Sequence, residues 1–204
     1  MYIRLKREEL PPDAPALARF LIGNLIVHEV SGGPIVGRIV ETEAYLADDP
    51  ASHSFRGRTK RNGAMFLTAG HAYCYLSYGC WTALNVSSGP AGLGEAVLLR
   101  AVEIVRGGEA IPVIPRLHRS KLASGPGRLT RALGVGLQHN GIDLCSDEPL
   151  FLARSDVSAG EIGTSPRIGI TKAADWPLRF FERGSAALSG TRRLNGLEKA
   201  VYES

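Results

Sequence analysis

The sequence predicts an α+β domain built around a largely antiparallel sheet. Hairpin signals outnumber strand–helix–strand signals along the chain, and only two short helix signatures stand among them. The 24 glycines and 12 prolines in 204 residues disfavour a helical bundle and suit short strands and shaped loops. The length suits one domain, taken as 1–204, and 44% hydrophobic residues can fill a core.

The first element is a helix over Asp13–Ile22, capped by Asp13, with Pro15 in its first turn and Gly23 past its end. Leu17, Phe20 and Leu21 form its apolar stripe. Leu25–Val30 and Ile35–Leu46 read as strands joined by the turn Ser31-Gly32-Gly33-Pro34. Tyr73–Val86 reads as a hairpin turning near Ser77-Tyr78-Gly79, and the apolar run Ala96–Val105 as a buried central strand. A second helix is expected over Arg128–Leu133, after Gly125-Pro126-Gly127 and ended by Gly134. Short strands follow at Leu150–Ala153, Arg167–Ile170 and Pro177–Phe181.

The charged start, MYIRLKREEL, lacks the apolar core of a signal peptide, and no stretch approaches the ~20 apolar residues of a membrane span. A soluble protein that is not exported is expected. Cys74, Cys80 and Cys145 are odd in number, with no CxxC pair, so a reducing compartment and buried, inert thiols are expected rather than disulfides. His71, Cys74 and Cys80 match no standard zinc spacing, and no metal or cofactor is expected.

The net charge of +4 is too small to name a partner, but its distribution is informative. No acid occurs between Asp49 and Glu95, a stretch that carries Arg56, Arg58, Lys60 and Arg61 with Phe55, Phe66, Tyr73, Tyr75, Tyr78 and Trp81. Cations meet phosphates and aromatic faces stack on bases, so this interleaving is the composition of a nucleic-acid surface. A second acid-free run, from Glu109 to Asp143, holds Arg116, Arg119, Lys121, Arg128 and Arg131. Tyr78 falls at the hairpin turn beside Gly79, where a wedge that enters a base stack would stand. Core tyrosines and a solvated charged face would read the same way by composition.

Just before the first tract, period 2 places Glu41, Glu43 and Tyr45 on one strand face and Val40, Thr42 and Ala44 on the other. His53 follows. A carboxylate there could take a proton from water, with burial among aromatics raising its pKa. For an isolated E-x-E the default expectation is pairing with arginines.

Several segments occur in order: Arg38-Ile39-Val40-Glu41-Thr42-Glu43-Ala44-Tyr45, Ala51-Ser52-His53-Ser54, Arg61-Asn62-x-x-Met65-Phe66, Tyr73-x-Tyr75-x-x-Tyr78-Gly79 and Asn85-Val86-Ser87. Val97-Leu98-Leu99-Arg100-Ala101, Gly125-Pro126-Gly127 and Pro166-Arg167-Ile168-Gly169-Ile170 complete the series. Together, across about residues 16–181, they closely resemble the alkyladenine (3-methyladenine) DNA glycosylase family. The resemblance implies a curved sheet with flanking helices and a protruding, DNA-inserting hairpin. It implies flipping of alkylated or deaminated purines from duplex DNA and hydrolysis of the N-glycosidic bond, leaving an abasic site.

By the same resemblance Glu43 is the general base, with Arg100 beside it at the catalytic centre. Tyr45, His53, Tyr75 and Asn85 form the base pocket, and Tyr78 intercalates. Arg58, Lys60, Arg61, Gly125 and Arg128 meet the DNA backbone. No lysine lies in the catalytic segments, so no lyase step is expected, and the protein is taken as a monomer. It would be cytoplasmic and nucleoid-associated in a bacterium, nuclear in a eukaryote. Cys80-Trp81 and a short loop between Ile170 and Pro177 depart from the family pattern. A non-catalytic DNA-binding protein on the same scaffold and a small-molecule transferase or hydrolase are the rival readings. Retention of Glu43 with the pocket residues favours catalysis over the first, and the basic aromatic tract disfavours the second.

Overall fold

The computed structural model describes residues 2–77, 79–112 and 115–196. Among them, eight strands form one curled, wholly antiparallel sheet, with two α-helices packed on it. The strands are β1 (Leu25–His28), β2 (Ile35–Tyr45), β3 (Ala72–Ser77), β4 (Trp81–Ser88), β5 (Glu95–Arg106), β6 (Leu150–Ala153), β7 (Ile162–Ser165) and β8 (Arg179–Glu182). The main path runs β3-β4-β5-β2-β1-β6.

The long strand β2 organises the fold. β5 lies along one edge; the other edge pairs first with β1, at residues 35–38, then with β8, at Glu41–Glu43. The sheet therefore branches beside the two carboxylates, and β8 carries β7 as an outer strand. Register shifts around Glu41 mark a bulge against β5. The expected alternation fails there. Val40 joins a small cluster with Ala101, Phe181 and Leu188, whereas Ile39 and Ala44 face the main core. A bulged strand places two consecutive residues on one side, which is why Val40 and Thr42 part company.

Helix α1 (Ala14–Leu21) starts where the sequence predicts, with the Asp13 carboxylate accepting from the Ala16 amide at 2.8 Å. Its buried Leu17, Ala18 and Leu21 meet Ile39, Leu84, Val97 and Leu99 in the core. The Thr42 hydroxyl donates to the Ala18 carbonyl at 2.9 Å, tying β2 to the helix. Helix α2 (Pro126–Leu133) begins two residues before the expected start, because Pro126 already has the φ of a first helical residue. Gly125 precedes it at φ 102°, a backbone that side chains rarely adopt.

The expected strand at Arg167–Ile170 is not formed; these residues are loop, and the pairing with β8 comes from Ile162–Ser165 instead. The Ile168 amide, which a ladder would need, donates to Glu43. The thiol expectation also needs correction: Cys74 is buried, with a pKa pushed up to about 12 by burial, but Cys80 is exposed. Cys80 lies in the turn beyond the last hairpin pair, Ser77 with Trp81, where no neighbouring strand covers it. No helix among the described residues is long and apolar enough to cross a membrane.

Candidate active site

Glu43 lies on β2 opposite Leu98 of β5 and Arg179 of β8, and is fully buried. Three donors meet its carboxylate: the Ile168 amide at 2.7 Å, the Tyr45 hydroxyl at 3.0 Å and Arg100 Nη1 at 3.2 Å. Arg100, from β5, is itself nearly buried and bridges to Glu41, its Nε donating at 3.1 Å. Glu41 thus pairs with arginines, as expected of an isolated E-x-E, and Glu43 shares one of them. Burial alone would raise the Glu41 carboxyl, but Arg179 and Arg100 hold it below the ordinary carboxylate range.

Beside this charged centre lies a cavity of about 110 Å³ whose walls are Tyr45, Ala51, His53, Met65, Tyr73, Tyr75, Asn85 and Ile170. Register explains the convergence. Tyr73 opposes Asn85 and Tyr75 opposes Ala83 across the hairpin, so all four share one face, and Asn85 continues to Leu98 and thence to Glu43. The cavity is far smaller than the ~300–1,000 Å³ typical of drug-sized ligands and suits one flat ring system.

Its aromatic walls are held in fixed positions. The His53 and Tyr75 rings meet edge to face at 4.5 Å, and Tyr73 lies tilted 5.4 Å from Tyr75. His53 Nδ1 shares a hydrogen bond with the Tyr73 hydroxyl at 2.9 Å. Burial first, and Arg61 second, lower the His53 pKa and keep its ring neutral near pH 7. The loop carrying His53 is pinned by Asn62, whose amide donates to the His53 and Gly57 carbonyls and accepts from Thr59. Burial, then Glu43, raises the Tyr45 phenol above its usual range, so it remains a donor to the carboxylate. The Asn85 amide donates to the Tyr73 carbonyl at 3.0 Å, which fixes its orientation at the cavity wall.

The structure therefore brings Glu43, Arg100, Tyr45, His53, Tyr75 and Asn85 together. Tyr78 lies outside the described residues. Arg58, Lys60 and Arg61 are exposed on the loop beside the hairpin, and Arg128 is exposed on the first turn of α2, after Gly125. Two roomier grooves flank the hairpin, about 740 Å³ with Lys60 and Arg61, and about 470 Å³ with Arg128 and Arg131. Among the described residues neither groove is lined by a carboxylate or a histidine, and both present cations.

Sequence reasoning missed several contributors. Tyr73 lines the cavity; its period-2 spacing from Tyr75 was the available signal. Arg167 stacks over the Tyr45 ring, 4.6 Å from its centroid, while ion-paired to buried Asp49. Arg179 and Ser189, which hold Glu41, gave no local signal.

A family profile described as methylpurine-DNA glycosylase (MPG) matches residues 8–186. The chain belongs to this family. Among relatives, a Mesorhizobium japonicum protein is 51% identical over 93% of this chain and 92% of its own length. One from Paraburkholderia phytofirmans is 46% identical over 93% and 90%, and one from Methanoculleus marisnigri 49% over 87% and 94%. Each bears the name "Putative 3-methyladenine DNA glycosylase". Membership in a glycosylase family assigns the chain to alkylation-damage repair, as a hydrolase of N-glycosyl bonds acting on DNA.

Proposed function

We propose that this methylpurine-DNA glycosylase relative flips alkylated or deaminated purines out of duplex DNA and hydrolyses their N-glycosidic bond with water activated by Glu43. One observation carries the reading: a fully buried carboxylate, oriented by Arg100, the Tyr45 hydroxyl and the Ile168 amide, stands beside an aromatic cavity sized for one base.

The chemistry follows from that placement. A purine stacked among Tyr45, His53 and Tyr75 would bring its sugar towards Glu43. As the C1′–N bond breaks, its electron pair leaves with the base, and positive charge grows on the sugar, which the carboxylate stabilises. Water adds to C1′ and gives its proton to Glu43. An N-alkylated purine carries positive charge, so aromatic faces attract it and it departs as a neutral molecule. Neutral lesions such as hypoxanthine need a proton on the departing base as well.

Exclusion of normal guanine is assigned to Asn85, whose fixed amide would crowd an exocyclic amine. Tyr78 is the proposed wedge, and Arg58, Lys60, Arg61, Gly125 and Arg128 the proposed backbone contacts. Among the described residues no lysine lines the cavity, and a base-releasing enzyme without a Schiff-base step is the reading this supports. The test uses duplexes carrying 1,N6-ethenoadenine, hypoxanthine or an N-methylpurine. Free base and an alkali-labile site are expected, with no strand break before alkali. Binding without base release from every lesion would overturn the reading.

A further inference from the structure

We propose that Glu41, fixed by Arg179 and Ser189, is a positioning residue of the catalytic centre that aims Arg100 at Glu43. The chain beyond the family match, through residues 187–195, is then part of that centre. The inference rests on the proposed role of Glu43.

The geometry divides two guanidiniums between two carboxylates. Arg179 pairs in register with Glu43, yet its side chain turns to Glu41, with Nε donating at 2.7 Å. Glu41 Oε1 also accepts from the Ser189 hydroxyl at 2.8 Å and Arg100 Nε at 3.1 Å, and Oε2 from the Ser189 amide at 2.6 Å. Arg179 is closed by the same segment: Nη2 donates to Asn195 Oδ1 at 2.6 Å and Nη1 to the Leu194 carbonyl at 3.1 Å. Glu41, Glu43 and Arg179 are fully buried. Ser189, Leu194 and Asn195 all lie past residue 186, where the family match ends.

Arg100 therefore commits Nε to Glu41 and Nη2 to the Ser189 hydroxyl, at 3.2 Å, and offers Nη1 to Glu43. A guanidinium released from Glu41 would favour a two-point grip on the remaining carboxylate. Such a grip would oppose proton uptake by the group that must accept one. Besides Arg100 and Glu41, Glu43 faces Tyr45, with Arg167, Asp49 and Tyr75 grouped around that ring.

The experiment measures single-turnover base release against pH for wild type, Glu41→Gln, Ser189→Ala and Ser189→Thr, with duplex binding in parallel. Glu41→Gln leaves two guanidiniums against one carboxylate. Its acidic limb should move about one pH unit lower and its maximal rate fall about tenfold, with binding within about twofold. Ser189→Ala should shift both in the same direction by less, and Ser189→Thr should restore them. A purely structural role would lower the melting temperature and leave the limb in place. Folded variants with the wild-type limb and rate would overturn the proposal; should Glu41→Gln not fold, the Ser189 pair decides it. Loss of base release in wild type on every lesion would instead sink the reading of Glu43 itself.

Discussion

Asp49→Ala tests whether the pocket rests on a buried ion pair. Both side chains of the Asp49–Arg167 pair are fully buried, and Asp49 Oδ1 also accepts from the Ala51 amide at 2.9 Å. Arg167 keeps only its bond to the Ala44 carbonyl when the carboxylate is removed. An uncompensated buried guanidinium costs about 3–5 kcal/mol, more than the net worth of the intact pair, since desolvation dominates. For a chain of this size that is a fall in melting temperature of roughly 6–20 °C. Urea unfolding followed by fluorescence of the two tryptophans measures it. Replacing both partners, Asp49→Leu with Arg167→Met, should recover most of the loss because no charge is left buried. A loss below about 1 kcal/mol for Asp49→Ala would mean that the pair behaves as an exposed one and leaves no uncompensated buried charge. Base release should fall in Asp49→Ala as well, because Arg167 supports the Tyr45 ring.

Three further outcomes are expected. Gly94→Ala should cost at least about 2 kcal/mol, because φ is +76° and the new methyl would meet the Phe66 ring at 2.6 Å; melting temperature reads it. The His139 pKa is lowered by burial and by His28, so the folded state takes up its proton less readily than the unfolded chain. Stability is therefore complete above about pH 6.5 and lost as pH falls through the depressed folded value, and His139→Gln should flatten that acid-side slope. Lys60→Ala and Arg61→Ala should each weaken damaged and undamaged duplex equally and lower the salt slope by about one; an unchanged slope would remove that residue from the DNA contact.

What the sequence made legible was local. The Asp13 cap, the hairpin of β3 and β4 and the long strand to Tyr45 all follow from side chains adjacent in the chain. Of the motif residues, Tyr45 and Arg100 both donate to Glu43. Arg167 and Arg179 were illegible because arginines ordinarily read as surface, and their partners stand 118 and 138 residues away. The Arg167–Ile170 segment has the alternation of a strand, but its donors go to Glu43 and Asp49 instead of a neighbouring chain. The bulge at Val40 was hidden for a related reason: it is set by pairing with β5, which a strand's own pattern does not record.

The most direct test compares wild type and Glu43→Gln in single-turnover base release from one lesion duplex, with binding measured on the same preparation. The substitution keeps the size of the side chain and removes the charge that accepts the proton. Duplex affinity should be unchanged and the rate lowered by about 10²–10⁴-fold. Base release by the variant at the wild-type rate would contradict it.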